Sequence, residues 1–255
     1  RPPSMASSWL NPFVARLVSG EELEGQYCGL LVICSWPMPS PVVEQLLAFR
    51  EALRQQAERM PEAAYVYPAT TLHCTVATLR PFTAGPLTGR ALEDELERWR
   101  PVLAAARDDP EWPAGAFKLH MQQPTFEGSS AILKYEDCDG AIRRMRFALR
   151  RAIEKAGGIA AEGSSDRSLA KPLIGCPPGT PAPHLPDIVH STVLRWSAEV
   201  PEEKRASARA AFACAASRVT PVTFIVKSGI VAVTEDVPFM HIRPEDATQK
   251  VWWRA

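Results

Sequence analysis

The chain writes one short pattern twice. Leu72-His73-Cys74-Thr75-Val76 is matched by Val189-His190-Ser191-Thr192-Val193, so apolar-His-small-Thr-Val recurs after 117 residues. The chain has only five histidines, and two of them stand in this frame. Such an apolar-flanked run predicts a β-strand, and residues i and i+2 of a strand point to the same face. Each copy then presents an imidazole and a hydroxyl side by side. Two copies facing each other make a compact site with two proton-transfer groups and two hydroxyl donors. Any fold for this chain has to supply two strands that can meet in that way.

The rest of the chain supplies the surrounding elements. Residues 1–25 lack periodicity and predict an arm or short helix. Residues 27–36 are a short apolar run closed by Pro37 and Pro39, which predicts a buried strand. Residues 41–60 carry Val43, Leu46, Leu47, Leu53 and Ala57 at helical spacing, with Ser40 as N-cap and Pro41 at the first helical position. A short extended piece at 65–68 precedes the first motif strand at 72–79, and a turn-rich loop spans 81–89. Leu92, Leu96, Trp99 and Leu103 predict a second helix, broken or kinked at Pro101. Strands follow at 116–122 and 131–136. Asp139 is positioned to cap a third helix carrying Ile142, Met145, Leu149 and Ile153, and Gly157-Gly158 stop it. Residues 158–186 form a Gly-, Ser- and Pro-rich connection, read as a lid over a site or as a tolerated excursion. The second motif strand spans 188–196, a helix opens at Pro201, and strands at 222–226, 229–234 and 239–242 close the chain. This order predicts an α+β fold with mainly antiparallel sheet. It organises as an arm at 1–25 and a single domain at 26–255 with a long loop at 158–186.

Charge narrows the function. The 29 basic and 29 acidic side chains cancel. That argues against a protein gripping long duplex nucleic acid, which calls for a basic surface, and leaves a small nucleotide or a short RNA end open. The six cysteines show no CxxC pair and no metal-like grouping with histidine, which predicts free thiols in a cytoplasmic or other reducing compartment. No apolar run approaches the roughly 20 residues of a membrane span.

Two imidazoles near neutral pKa serve as general base and general acid in one reaction. Two threonine hydroxyls donate hydrogen bonds to non-bridging phosphate oxygens, and phosphoryl transfer needs mainly positioning and charge stabilisation. Acidic residues at metal-ligand spacing are missing around both motifs, which favours a metal-independent reaction. One His-x-Thr alone is more often part of a core, whereas two in the same apolar frame are hard to obtain by accident.

The motifs at His73-Cys74-Thr75-Val76 and His190-Ser191-Thr192-Val193 resemble the signature of the two-histidine (2H) phosphoesterase superfamily. The resemblance implies two pseudo-symmetric lobes of antiparallel sheet with outer helices around a central cleft. It implies His73 and His190 as the acid/base pair and Thr75 and Thr192 as the phosphate clamp, with no cofactor and no metal. Cys74 stands where an aliphatic residue is usual, on the face turned away from the site. The expected activity is hydrolysis of a nucleotide or RNA-end phosphodiester, a 2′,3′-cyclic phosphate or a 2′,5′-linkage, by a monomer that needs no membrane. An RNA 3′-end-trimming exonuclease and an idle nucleotide-binding module on the same scaffold are the alternatives.

Substrate-binding candidates follow from nearness to the motif strands. Tyr65, Tyr67, Phe82, Trp36 and Phe239 offer aromatic faces for a base, with core packing as the competing role for each. Arg80 and Arg195 close the two motif strands, although strict alternation turns both away from the histidines. Lys118 and His120 share a face of a strand expected to line the cleft.

Overall fold

The computed structural model describes residues 8–23, 25–127, 129–163, 167–227, 229–235 and 250–255. Its helices are α1 (Pro12–Val18), α2 (Ser40–Arg54), α3 (Gly89–Arg107), α4 (Ala141–Lys155) and α5 (Glu202–Ala216). Its strands are β1 (Gly29–Cys34), β2 (Ala64–Val66), β3 (Cys74–Arg80), β4 (Phe117–Glu127), β5 (Ser130–Asp137), β6 (Ala161–Glu162), β7 (His184–Leu185), β8 (Val189–Trp196), β9 (Val222–Val226), β10 (Val231–Glu235) and β11 (Val251–Arg254). The expected strand at 239–242 lies outside the described residues.

The strands form two sheets. One has the order β11-β10-β1-β3-β7-β6 and the other β2-β8-β5-β4-β9. All pairings are antiparallel except β6 with β7. The α+β class and the two antiparallel-rich sheets agree with the sequence reading. The motif strands β3 and β8 are interior, one in each sheet. β2 precedes β3 in the chain yet pairs with β8, tying the first half of the chain to the second sheet.

Helix faces follow apolar spacing with local corrections. α2 buries Val42, Leu46, Phe49 and Leu53, and Leu47 faces outward at 51% exposure. That stripe runs one residue away from the one read through Val43 and Leu47, and the helix ends at Arg54 instead of 60. α3 continues through Pro101, because Trp99, Val102, Leu103 and Ala106 on either side are buried against the core. The proline itself lies on the exposed face.

Gly140 is the N-cap residue of α4, and the side chain that serves its first amides is Asp137, not Asp139. The Asp137 carboxylate accepts hydrogen bonds from the Ala141 and Arg143 amides at 2.8 and 3.0 Å. Asp139 instead accepts from the Lys118 amide at 2.7 Å, tying the helix start to β4. A helix N-terminus needs an acceptor for its unpaired N–H groups, and a carboxylate also favours the positive end of the dipole. Asp137→Ala is therefore expected to cost about 1–2 kcal/mol. Asp139→Ala should cost less, as a comparison of urea midpoints will show.

The described residues from Trp9 onward are built into this body. Trp9 is buried, with its ring centroid 5.0 Å from that of Trp196 at the end of β8. The contacts continue through Phe126, Phe212 and Phe49. Among the described residues no helix is long and apolar enough to cross a membrane.

Candidate functional site

His73 immediately precedes β3, and His190 is the second residue of β8. The two runs share one burial pattern. His73, Thr75 and Thr78 are half-exposed, with Cys74, Val76, Ala77 and Leu79 buried. His190, Thr192 and Arg195 are half-exposed, with Ser191, Val193, Leu194 and Trp196 buried. The common cause is a β-bulge at the motif valine. Ile33 faces Thr75 and Val32 faces Ala77, so Val76 has no partner on β1. Ile132 faces Thr192 and Ala131 faces Leu194, so Val193 has none on β5. Its carbonyl instead accepts from the Tyr67 amide at 3.0 Å. An extra residue shifts the phase of alternation by one. The third residue after each threonine therefore returns to the site face, Thr78 in one strand and Arg195 in the other.

This corrects the reading of Arg195, which joins His190 and Thr192 on their face. Arg80 stays turned away because a second bulge, at Leu79, shifts the phase back. It is buried and structural. Its guanidinium donates to the carbonyls of Cys28, Gly85 and Ala84 and fixes the loop after β3.

One cavity of about 810 Å³ is lined by His73, Thr75, Thr78, His190, Thr192 and Arg195. Tyr67, Phe82 and Glu235 line one end. Phe82 is held edge-on by Phe13 and Tyr27 at centroid distances of 4.9 and 5.8 Å. Gly29 makes room there, since a Cβ on it would lie 2.8 Å from Glu235 Oε2. The long connection closes another side through Ala161, Gly163, Ala170, Pro181, Ala182 and His184. It holds β6 and β7, which extend the first sheet, so it forms a wall of the cleft.

The remaining candidates lie elsewhere. Tyr65 stacks edge-on against Tyr67 at 5.4 Å but does not line the cavity. Trp36 donates from Nε1 to the Thr70 carbonyl and packs on the cluster of Leu31, Ile33, Val231 and Val233. Lys118 and His120 belong to β4, separated from β8 by β5, and line neither this cavity nor the one beside it. His120 bonds Thr223 Oγ1 through Nδ1 at 2.9 Å. Phe239 lies outside the described residues.

The two motifs are bound to each other by groups that the sequence does not single out. Ser191, between His190 and Thr192, donates from Oγ to the His73 carbonyl at 2.6 Å. Tyr135 holds that serine at 3.1 Å. Arg146 of α4 donates to the Thr75 and Val76 carbonyls of β3 and to the Ile188 carbonyl ahead of β8, at 3.0, 3.1 and 3.1 Å. No spacing rule marks Arg146 among the five arginines of its helix.

Each imidazole is influenced by a backbone carbonyl two residues upstream. His73 donates from Nδ1 to the Thr71 carbonyl at 2.9 Å, which leaves the Nε2 lone pair for chemistry. The Ile188 carbonyl acts on the His190 ring in the same sense, favouring its protonated form. Burial, opposed by the Thr71 bond and aided by the neighbouring His190 charge, lowers the His73 pKa to about 4. Burial also lowers that of His190, with Arg146 and Arg195 acting in the same direction and the Ile188 carbonyl and Asp187 opposing them. The two rings thus differ in their surroundings, with charged neighbours (Arg146, Arg195 and Asp187) acting on His190 and the other imidazole on His73. Such an arrangement is suited to moving a proton on and off an oxygen at two points of one small ligand. Among the described residues no group of three or more His, Cys, Asp and Glu side chains is arranged to hold a metal ion.

No family model matches the chain, and no curated protein is similar to it. Solved structures similar to it include that of TT0787 from Thermus thermophilus, at 15% identity and a TM-score of 0.47, covering 89% of this chain and 96% of that one. Another is a conserved protein of unknown function, ATU0111, from Agrobacterium tumefaciens strain C58, at 14% identity and a TM-score of 0.47, covering 86% of each.

Proposed function

We propose that this chain is a two-histidine phosphodiesterase, hydrolysing a nucleotide or RNA-end phosphodiester without a metal. Its substrate is a 2′,3′-cyclic phosphate or a 2′,5′-linkage. The observation that carries the reading is the convergence of His73, Thr75, His190 and Thr192 in one cavity, each pair presented by an interior strand with the same bulge. Arg195 beside them adds a fixed positive charge for the phosphate.

In this mechanism His73 is the general base. Its Nδ1–H is held by Thr71, and burial keeps the ring neutral, so Nε2 takes a proton from water as that water attacks phosphorus. His190 carries the other proton to the leaving ribose oxygen as its bond to phosphorus breaks. One water is consumed and a phosphate monoester and a hydroxyl result. Thr75, Thr192 and Arg195 stabilise the non-bridging oxygens, where charge accumulates in the transition state. Phe82 and Tyr67 offer aromatic surface for a base at one end of the cleft.

The test is turnover of 2′,3′-cyclic nucleotides with EDTA present. Steady hydrolysis to a single nucleoside monophosphate isomer is expected. Activity abolished by EDTA would overturn the mechanism. Clear nucleotide binding with no turnover of any cyclic or oligonucleotide substrate would make the chain a binding module. Stepwise loss of nucleotides from free 3′ ends, with cyclic substrates untouched, would make it a trimming exonuclease.

A further inference from the structure

A second cavity of about 1010 Å³ adjoins the cleft. The two share Gly163, Pro186, Asp187 and Ile188 as a common border. The far side is the outward stripe of α4 carrying Arg143, Arg146, Phe147 and Arg150, and the floor is the end of β5. Lys134 on that floor is the cross-strand partner of His190, so the new cavity begins one residue from the proposed reaction centre.

Its lining is specific. Phe147 is 39% exposed, which is unusual for a phenyl ring on a helix surface, and the Arg150 guanidinium covers it at 5.1 Å from the centroid. Four basic residues (Lys134, Arg143, Arg146, Arg150) face four acidic ones (Asp137, Asp139, Glu162, Asp187) in the lining. Three of the carboxylates are already engaged, as are Arg146 on backbone carbonyls and Arg150 on Glu162. Asp137 serves the first amides of the helix, Asp139 holds the Lys118 amide and Glu162 pairs with Arg150. Size decides what the cavity is for. A pocket of roughly 300–1,000 Å³ holds a drug-sized ligand, and a mononucleotide is of that size. The cleft of about 810 Å³ already meets that need, so a cyclic mononucleotide leaves the second cavity unused.

We propose that this second cavity is a subsite for the nucleotide preceding the reacting end of a single-stranded oligonucleotide, its base stacking on Phe147 and its phosphate meeting Arg143. The proposal rests on the phosphodiesterase reading and narrows it, from nucleotides in general to RNA ends. A single aromatic platform with a few cations suits a short single strand, since stacking is indifferent to base identity and duplex needs many phosphate contacts.

The experiment compares two substrates with the same reacting group, 2′,3′-cyclic AMP and an oligonucleotide of about five residues ending in a 2′,3′-cyclic phosphate. The oligonucleotide is expected to have a kcat/KM at least about tenfold higher. Phe147→Ala and Arg143→Gln should each remove most of that advantage and leave cyclic AMP turnover unchanged, and Phe147→Trp should keep it. Binding of a fluorescein-labelled oligonucleotide 3′-phosphate, followed by anisotropy, reads the subsite without catalysis. Equal kcat/KM for both substrates in all variants would overturn the subsite and leave the phosphodiesterase standing. Oligonucleotide binding that weakens in Phe147→Ala, with neither substrate hydrolysed, would keep the subsite and overturn the reaction. Absence of both turnover and binding would overturn both.

Discussion

His73→Gln and His190→Gln are each expected to lower kcat by about 10²–10⁴-fold with little change in KM. Glutamine keeps a polar side chain of similar reach, so the loss reports proton transfer more than packing. The double variant should be no slower than about tenfold below the worse single one, because in the proposed mechanism the two rings act as a unit on one phosphate. The pH profile separates their roles. The base must be deprotonated, so kcat/KM should fall as pH drops toward the His73 pKa of about 4. The acid must be protonated, and the His190 pKa lies below its ordinary 6.5, so kcat/KM should also fall as pH rises past that point. The maximum is therefore expected on the acid side of neutrality. His73→Gln should erase the acid limb and His190→Gln the alkaline one, and a bell centred above pH 7 would sink the assignment.

The same shifts give a stability signature. Both folded-state values lie below the ordinary imidazole value, so the unfolded chain binds more protons in this window. The stabilisation is fully present above pH 6.5 and is lost as pH falls toward about 4. For His73 the loss is on the order of 2 kcal/mol, after a discount for the ring's partial exposure. His73→Gln should flatten the dependence of the urea midpoint on pH between those limits.

The sequence reveals the motif pair because period-2 alternation is a local property of a strand, and His-x-Thr needs nothing more. The course of each strand beyond its motif is not local. A bulge arises when one strand has a residue that its neighbour cannot match, and that depends on β1 for Val76 and on β5 for Val193. Strict alternation therefore turns Arg195 away from the site, while the paired sheet returns it. Thr78 escapes a reading by alternation for the same reason. Glu235 enters the cleft only because β10 pairs with β1 opposite Gly29. The helix stripes are readable where apolar spacing is dense, as in α4, and slip in α2, where adjacent Val42-Val43 and Leu46-Leu47 make two stripes equally plausible on paper. The long connection is read as either a lid or an excursion. It proves to be a wall, because two short strands attach it to the edge of β3, a pairing that its Gly- and Pro-rich composition hides.

Arg146→Met is expected to destabilise the protein by about 3 kcal/mol and to loosen the two motifs from each other. The guanidinium serves three backbone carbonyls, two on β3 and one ahead of β8. A methionine fills the volume and serves none. A buried acceptor left unserved costs about 1–3 kcal/mol, and sheet bonding to other lone pairs keeps each loss near the lower figure. Lysine is not an adequate substitute, because one ammonium on a flexible stem cannot span carbonyls from two strands as a planar fork does. Arg146 holds the Ile188 carbonyl, which acts on the His190 ring, so Arg146 is a positioning residue for the proposed acid. Its charge also lowers the His190 pKa. Removing it should raise that pKa, and Arg146→Lys should leave it nearly unchanged while still losing stability. NMR titration of the His190 ring reads this without any substrate. A methionine variant with normal stability and an unmoved His190 titration would mean that the two motif strands find each other without Arg146, and that Ser191 alone on the His73 carbonyl is the link between them.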